Sequence, residues 1–371
     1  AGPANTSLAS AVRSRASAAG SASAPSADAA DCSGQVTTAS ARTRDSIHTV
    51  DDQVVLVTGG TGSFGRAFVQ ALISQGNPMK VIVFSRDEQK HYQLERTLRD
   101  PRLRFFVGDV RDRDRLTTAL RGVDVVVHAA AMKHVPICEY NPIEAVQTNV
   151  VGARNLIEAA LANRVPRVIG LSTDKAVAPA NLYGATKLCM EKLLVAANAY
   201  VGDLATRFSL VRYGNVMGSA GSVIPLFESQ RDGGRITITD ERMTRFWIRM
   251  SDAIALVLRG LELMSGGEIF VPKLPTTDIV TLAEAMAPGV PRETIGIRPG
   301  EKLHEVLLSA EEARRAADLG ELMVIYPEYA FHQGAERPAG KPLPDGFVYS
   351  SDHADPRLGV EETRWLLEHV A

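Results

Sequence analysis

The sequence has few cysteines, almost no net charge and no long apolar run. Its 371 residues include three cysteines, Cys32, Cys138 and Cys189, and none of them belongs to a C-x-x-C pair. We therefore expect neither a disulfide framework nor a metal site. This cysteine usage is typical of a reducing compartment such as the cytoplasm. The formal net charge of -2 gives no reason to expect a nucleic acid or an anionic membrane as a partner. No apolar run reaches the roughly 18–20 residues that a membrane-spanning helix needs, so no membrane span is predicted.

Residues 1–50 also lack acidic residues before Asp28 and have almost no large apolar side chains. They are rich in alanine and serine, and a segment of this composition cannot bury enough surface to offset its chain entropy. We predict that residues 1–50 form a disordered tail. The composition is typical of a linker and also of an organellar transit peptide, which would change the predicted location from cytoplasmic to organellar.

After residue 50 the pattern changes to a buried strand, a glycine-rich turn and an amphipathic helix. Val54–Val57 form the apolar run, the glycines that follow have G-x-x-G-x-x-G spacing, and apolar residues then recur at helical period. Such a turn lets backbone N–H groups and a helix N-terminus approach a pyrophosphate, which a side chain would block. The predicted dinucleotide contacts are Gly59, Thr61, Gly62, Ser63, Phe64 and Gly65.

The end of the next strand predicts which dinucleotide is bound. Ser85 and Arg86 stand where NAD-preferring proteins usually have a carboxylate, and Lys90 follows one turn later. A guanidinium and an ammonium suit a 2′-phosphate, so NADP is the predicted cofactor. The alternative is that Arg86 is simply solvated and that Asp87 binds the ribose of NAD.

Two further strand ends complete the predicted cofactor site. A carboxylate after the third strand can reach the adenine amino group, and small residues after the fourth strand let the cofactor lie close. The predicted contacts are Asp109, Val110, Ala129, Ala130 and Ala131. Strands and helices continue to alternate, which indicates an α/β fold with a doubly wound parallel sheet. We predict a Rossmann-type domain at 51–215 and a smaller substrate-binding lobe at 216–371.

A fifth strand is followed by side chains that are typical of hydride transfer. Tyr183 and Lys187 lie one helical turn apart and therefore share a helix face. An ammonium near a phenol favours the phenolate, which would make Tyr183 a base for a hydroxyl that is being oxidised. Asp174 and Lys175, directly after Thr173, add an acid and an amine that simple hydride transfer does not need.

Several segments together resemble the extended short-chain dehydrogenase/reductase superfamily, and more narrowly the UDP-N-acetylglucosamine 4,6-dehydratases that invert sugar carbon 5. These segments are TGGTGSFG, HAAAMKHVPICEYNP, STDKAVAPANLYGATKL, VRYGNVMGS, MTRFWI and GIRPGEKLHE. The resemblance runs from about Val54 to near the C-terminus and leaves out the tail. Retaining relatives have Asp-Glu where this sequence has Asp174-Lys175, so the lysine marks the inverting family.

The resemblance implies a transient oxidation of the sugar by NADP, with Thr173, Asp174, Lys175, Tyr183 and Lys187 as the catalytic group. Tyr183 takes the proton of the carbon-4 hydroxyl, and the resulting ketone makes the carbon-5 proton acidic. Lys175 then removes that proton, Asp174 protonates the departing hydroxyl, and the hydride returns to carbon 6. For these roles we expect the pKa of Lys175 to be depressed and that of Asp174 to be raised.

The second half supplies most of the predicted substrate contacts. An asparagine there resembles the family's substrate-contacting asparagine, arginines suit a diphosphate, and a glutamate can accept from a ribose hydroxyl. The predicted contacts are Lys133, Asn215, Arg245, Arg298 and Glu301, for which ordinary surface ion pairs are the alternative. The predicted enzyme is a homo-oligomer that acts on UDP-N-acetylglucosamine. Two alternatives are a nucleotide-sugar 4-epimerase, which would release no water, and a non-catalytic NADP-binding scaffold.

Overall fold

The computed structural model describes residues 46–219, 222–329, 331 and 337–369, so the part of the predicted tail at 1–45 lies outside the described residues. The strands are β1 (Val54–Thr58), β2 (Lys80–Ser85), β3 (Leu103–Val107), β4 (Val125–His128), β5 (Arg167–Thr173), β6 (Arg207–Tyr213), β7 (Asn215–Val216), β8 (Ile236–Ile238), β9 (Thr244–Ile248), β10 (Ile269–Pro272), β11 (Thr276–Asp278), β12 (Arg292–Thr294), β13 (Val306–Leu308), β14 (Ala316–Asp318), β15 (Leu322–Ile325), β16 (Lys341–Pro342) and β17 (Tyr349–Ser350). The α-helices are α1 (Ser63–Gln75), α2 (Glu88–Leu98), α3 (Arg113–Ala119), α4 (Val135–Tyr140), α5 (Pro142–Val146), α6 (Gly152–Ala162), α7 (Leu182–Ala197), α8 (Val223–Arg231), α9 (Met250–Leu263), α10 (Ile279–Met286), α11 (Ala310–Ala313) and α12 (Val360–Glu368).

Parallel strands form the centre of a ten-stranded sheet, in the order β3-β2-β1-β4-β5-β6-β10. Strands such as β4, with the sequence VVVH, are buried along their whole length. Continuous apolar strands of this kind are expected where helices cover both faces of a parallel sheet. The strand order reverses between β1 and β4, and the carboxyl ends of these strands flank the crevice where such sheets bind ligands. The predicted doubly wound parallel sheet is confirmed.

The later half of the chain extends this sheet. Strand β10 pairs in parallel with β6, and β15, β14 and β16 continue the sheet in antiparallel fashion. Residues after 215 therefore share one sheet and one core with the first half. The division of the chain at residue 215 stays a prediction.

The segment at 46–50, which the sequence places in the tail, packs on the core. Ile47 is 1% exposed and Val50 is fully buried. Arg167 at the start of β5 donates from Nη2 to the carbonyl oxygen of Thr49 at 2.9 Å. The predicted disordered tail therefore does not extend to residue 50. The side chains of Ile47 and Val50 are buried and attach residues 46–50 to the core.

A second, smaller apolar core lies beside the sheet. Its buried residues include Phe227 on α8, Trp247 on β9 and Leu282 on α10. Strand β9 also pairs with β7, which begins at Asn215 directly after β6. The small core is thereby attached at the carboxyl end of β6. No α-helix in the described ranges is long and apolar enough to cross a membrane.

Candidate active site

The glycine-rich turn brings the ends of β1 and β4 into backbone contact. Gly59 has a φ of +66°, and a Cβ there would lie 2.8 Å from the backbone nitrogen of Ala130. A Cβ at Gly65 would lie 2.6 Å from the Cα of Gly60, so α1 starts this close to the turn only because it contains a glycine. Gly62 precedes α1, and no side chain among the described residues caps this 13-residue helix. Its first N–H groups therefore suit an anion such as a dinucleotide pyrophosphate.

The residues after β2 include an exposed cation, Arg86, and a carboxylate, Asp87, that is engaged in other contacts. Thr61 Oγ1 lies 2.7 Å from Ser85 Oγ, which joins the turn to the strand. Asp87 accepts from the backbone N–H of Lys90 at 3.0 Å as the N-cap of α2, and it also lies 3.1 Å from Lys90 Nζ. The side chain of Arg86 is 59% exposed and is 3.7 Å from a carboxylate that follows β3. The Asp87 carboxylate is therefore occupied as a helix cap, whereas the Arg86 side chain is mostly exposed.

That carboxylate belongs to Asp109, which an arginine already holds. Arg111 donates to it from its backbone N–H at 3.0 Å and from Nη2 at 2.7 Å. Val110 is buried, and Ala129, Ala130 and Ala131 are half-buried after β4. At the helix start, Ser63 is exposed, whereas the ring of Phe64 stacks on that of Phe68 at 5.5 Å. The structure thus brings the predicted cofactor residues to one edge of the sheet.

Sequence reasoning missed Asn149, which lies in a π-helical turn at Gln147–Val151. Its Oδ1 accepts from the backbone N–H of Met132 at 2.8 Å, and its Nδ2 donates to Thr186 Oγ1 at 2.9 Å. Asn149 is 1% exposed and therefore ties the loop after β4 to α7. An asparagine in the apolar stretch VQTNVVGA was the available signal, because a buried amide needs partners.

The candidate catalytic residues lie where β5 meets the first turn of α7. Strand β5 ends at Thr173, a 3-10 turn covers Asp174–Ala176, and α7 carries Tyr183 in its first turn. A Cβ at Gly184 would lie 2.9 Å from the carbonyl carbon of Lys175 and closer still to the carbonyl oxygen. The glycine of Y-G-A-T-K thus allows the turn that carries the acid and the amine to pack on the helix of Tyr183.

Lys175 lies between two buried carboxylates. Its Nζ is 3.1 Å from Asp174 Oδ1, 3.2 Å from Glu305 Oε1 and 3.4 Å from Asn215 Oδ1. The side chains of Asp174 and Glu305 are 0% and 3% exposed, whereas that of Lys175 is 23% exposed. Thr173 Oγ1 donates to Asp174 Oδ1 at 2.9 Å. The structure brings the predicted Thr173, Asp174, Lys175 and Asn215 together and adds Glu305, which the sequence analysis did not select.

Two carboxylates shift the pKa of Lys175 in the direction opposite to the expected one. Burial lowers the pKa of Lys175, but the carboxylates of Asp174 and Glu305 outweigh burial and raise that pKa above its ordinary value. Burial raises the pKa of Asp174, the direction that a proton donor needs. Burial also acts to raise the pKa of Glu305, but the nearby cations, led by Lys175, lower it overall. The expected depression of the Lys175 pKa is therefore wrong, because the charges of Asp174 and of Glu305, which the sequence analysis did not select, together exceed the effect of burial.

Tyr183 belongs to the same cluster, whereas Lys187 points toward the sheet. Burial raises the pKa of Tyr183 to about 12, although the charge of Lys175 and a hydrogen bond with Thr173 act to lower it. Lys187 is 4% exposed and donates from Nζ to the carbonyl oxygen of Leu171 at 2.6 Å. Burial lowers the pKa of Lys187 to about 8. The ammonium that favours the Tyr183 phenolate is therefore that of Lys175 rather than that of Lys187.

Two of the cations near the cluster brace the backbone. Arg245 on β9 donates from Nη2 to the carbonyl oxygen of Lys302 at 3.0 Å and from Nη1 to that of Leu303 at 2.9 Å. Lys302 in turn donates from Nζ to the carbonyl oxygen of Val177 at 2.6 Å. Arg245 thus supports the segment that leads to Glu305.

Two of the remaining predicted substrate contacts, Arg298 and Lys133, are exposed. Arg298 is exposed, and within the described ranges its guanidinium has no ion-pair partner. Its backbone N–H donates to Glu301 Oε2 at 3.2 Å. Lys133 is also exposed, yet desolvation by its surroundings and the charge of Lys175 lower its pKa. These positions suit an anionic substrate that enters from solvent.

Comparison with known proteins identifies the family. The family model described as polysaccharide biosynthesis protein matches residues 55–327. The chain belongs to this family. Two curated relatives from Campylobacter jejuni, of serotypes O:2 and O:23/36, are both named UDP-N-acetylglucosamine 4,6-dehydratase (inverting). They are 48% and 46% identical to this chain over 325 residues, which is 85% of this chain and 97% of each relative. A relative from Rickettsia canadensis named UDP-glucose 4-epimerase is 42% identical over 85% of this chain and 95% of its own.

Solved structures agree with this assignment. The structure of Pen from Bacillus thuringiensis has a TM-score of 0.78 at 38% identity, and the match covers 86% of this chain and 99% of that one. The dTDP-glucose 4,6-dehydratase DesIV from Streptomyces venezuelae, solved with NAD, has a TM-score of 0.61 at 27% identity, with 67% of this chain and 86% of that one covered. The family resemblance predicted from the sequence motifs is confirmed.

Proposed function

We propose that the chain is a UDP-N-acetylglucosamine 4,6-dehydratase that inverts carbon 5 of the sugar. The observation that carries the proposal is the Asp174–Lys175 pair, held between the end of β5 and the helix of Tyr183. Hydride transfer alone needs neither residue, whereas elimination of water needs both an acid and a base. The names of the two C. jejuni relatives support the same reaction. The product would be UDP-2-acetamido-2,6-dideoxy-β-L-arabino-hex-4-ulose.

The cofactor is an NAD(P) dinucleotide, and we propose NADP. The glycine turn and the uncapped N-terminus of α1 would hold the pyrophosphate. Asp87 is engaged as a helix cap, while Arg86 is mostly exposed and would exchange its 3.7 Å contact with Asp109 for a 2′-phosphate. When bound, the oxidised nicotinamide accepts a hydride from sugar carbon 4 and later supplies one to carbon 6.

Tyr183 would take the proton of the carbon-4 hydroxyl. Its pKa of about 12 is high for a base, so the charge of Lys175 and the hydrogen bond with Thr173 are needed to favour the phenolate. The ketone that results makes the carbon-5 proton acidic. Lys175, the more exposed member of its cluster, would remove that proton as a free amine. Asp174, with its raised pKa, would supply the proton for the departing hydroxyl.

The substrate would bind where cations outnumber carboxylates. Lys133 and Arg298 are exposed beside the cluster and suit the diphosphate, while Asn215 lies 3.4 Å from Lys175 and would contact the sugar. Glu301 would accept from a ribose hydroxyl. Arg245 would act mainly by holding the backbone at 302–303 in place.

Incubation with UDP-N-acetylglucosamine and mass analysis of the product tests the proposal. We expect loss of one water and, in heavy water, entry of one deuterium at carbon 5 with proton couplings of the L-arabino configuration. A D-xylo product would contradict the inverting assignment. A 4-epimerase, favoured by the name of the Rickettsia relative, would give an isomer of unchanged mass. A non-catalytic scaffold would leave the substrate unaltered.

We also propose that the enzyme works in the cytoplasm as a homo-oligomer. Three large apolar side chains on adjoining helices α4 and α5 support the second point, since Ile137, Tyr140 and Ile143 are 50%, 87% and 68% exposed. Exposed apolar clusters of this kind often lie in protein interfaces. Sedimentation of the protein and of a Tyr140→Glu variant would test it, with dissociation expected for the variant and an unchanged mass counting against it.

A further inference from the structure

Glu305 is a buried carboxylate that the mechanism above leaves without a task. It precedes β13, is 2% exposed, and faces Lys175 with Oε1 at 3.2 Å from Nζ. Its other oxygen, Oε2, accepts no hydrogen bond from the residues that the structure describes, although Lys302 Nζ lies 3.9 Å away. Burying a charge with one oxygen unsatisfied costs free energy, and Asp174 already pairs with Lys175. The second carboxylate gives Lys175 a buried acceptor in addition to Asp174.

The position of Glu305 is fixed from two sides. Its backbone N–H donates to Ser351 Oγ at 2.9 Å, and its carbonyl oxygen accepts from the backbone N–H of Ser351 at 2.9 Å. Two residues later, the carbonyl oxygen of Leu307 accepts from Arg212 Nη1 at 2.9 Å. The Arg212 guanidinium, which is 1% exposed, also holds Glu191 of α7 at 2.7 Å. Glu305 is thus anchored to the same helix that carries Tyr183.

The two carboxylates lie behind Lys175 with respect to solvent. Asp174 Oδ2 and Glu305 Oε2 are both buried, while the Lys175 side chain is 23% exposed. A substrate that enters from solvent meets Lys175 first. As an ammonium, Lys175 has no lone pair with which to accept a proton. It must pass one proton inward before it can act on carbon 5.

We propose that Glu305 takes this proton and so releases the Lys175 amine that deprotonates carbon 5, an inference that rests on the proposed function. One N–H bond at Lys175 Nζ breaks and one O–H bond forms at Glu305 Oε1, so no further reactant is needed. The pair changes from ammonium and carboxylate to amine and carboxylic acid with no change in net charge. Exclusion of water by the bound sugar disfavours separated charges and therefore favours the neutral pair. Glu305 is in this sense a positioning residue that acts through Lys175.

The test compares Glu305→Gln with the wild-type protein in single-turnover experiments. Absorbance of the reduced nicotinamide reports oxidation at carbon 4, and product mass reports dehydration. We expect oxidation near the wild-type rate and dehydration slower by about 10²–10⁴-fold at neutral pH, the usual loss for general-base catalysis. Dehydration by Glu305→Gln should then rise about tenfold per pH unit, because bulk water must now titrate Lys175. Glu311→Gln, an exposed carboxylate six residues away, is the matched control and should behave like wild type.

Other outcomes would overturn the inference and would separate it from the proposed function. If Glu305 only contributes charge, its loss lowers the pKa of Lys175, and Glu305→Gln would dehydrate at neutral pH as fast as wild type or faster. If its role is structural, oxidation and the melting temperature would fall together with dehydration. Glu305→Asp keeps a carboxylate, so its dehydration rate should change little with pH. A wild-type dehydration rate that rises steeply with pH would by itself refute the proton transfer. A wild-type protein that releases no water would instead reject the proposed function.

Discussion

Gly184→Ala tests whether close packing of the 3-10 turn on α7 sets the catalytic geometry. The new Cβ would lie 2.9 Å from the carbonyl carbon of Lys175 and 3.1 Å from Pro179 Cβ. Carbon atoms pack at about 3.5–4.0 Å, so the turn must retreat by roughly 0.6–1.1 Å. A displacement of about 1 Å in a catalytic group can cost about 10²-fold in rate. Overpacking of this kind also typically destabilises the fold by about 1–3 kcal/mol.

The assay measures dehydration of UDP-N-acetylglucosamine together with the thermal midpoint of unfolding. We expect turnover to fall about 10²-fold while the protein remains folded, since the clash is confined to one turn. Cys189→Ala, a small change on the exposed side of the same helix, serves as the control and should leave both quantities unchanged. Wild-type turnover in Gly184→Ala would refute the claim that the glycine positions Lys175.

Four other predictions concern the cofactor, the bases and the tail. Tyr183→Phe should abolish cofactor reduction by the sugar but leave cofactor affinity nearly unchanged in a binding titration; normal turnover would remove Tyr183 from the mechanism. Lys175→Gln should stall after oxidation, with the 4-keto sugar or reduced cofactor accumulating in a rapid-quench experiment. Lys192→Gln on the exposed face of α7 is its control, and undiminished dehydration by Lys175→Gln would show that another group is the base. Arg86→Asp should shift the ratio of NADP to NAD affinity toward NAD by about 1–3 kcal/mol, the range for a charged hydrogen bond; equal affinities in the wild-type protein would already contradict the NADP assignment. Deletion of residues 1–45 should leave activity intact because the described core begins with Ile47, and a large loss would show that the tail contributes to the fold.

Local patterns were enough to predict the dinucleotide half of the site. The glycine spacing, the strand before it and the helix after it are contiguous in sequence, so the pattern is visible locally although the turn also packs against Ala130 after β4. Asp174, Lys175 and Tyr183 were likewise predictable, because a strand end and the following helix turn are only ten residues apart. Their common location follows from the rule that parallel strands present their carboxyl ends at one edge.

Contacts over long sequence separations could not be predicted in the same way. Glu305 approaches Lys175 because β13 pairs with β17 and because Arg212 holds the Leu307 carbonyl, and neither event leaves a local pattern. The sequence analysis lacked Glu305 and weighed burial above the charge of Asp174, so it predicted the wrong direction for the Lys175 pKa. The partners of Arg245 were missed for the same reason, since the backbone that it braces lies 57 or 58 residues away.

The anchoring of Arg212 also limits how the molecule can open. Arg212 joins β6 to Glu191 on the Tyr183 helix and to Leu307 beside Glu305, so one buried guanidinium connects these three segments. Breaking a buried ion pair of this kind typically costs about 3–5 kcal/mol, several times the thermal energy. We therefore expect any movement that admits a nucleotide sugar to keep the Tyr183 helix and the segment of Glu305 together.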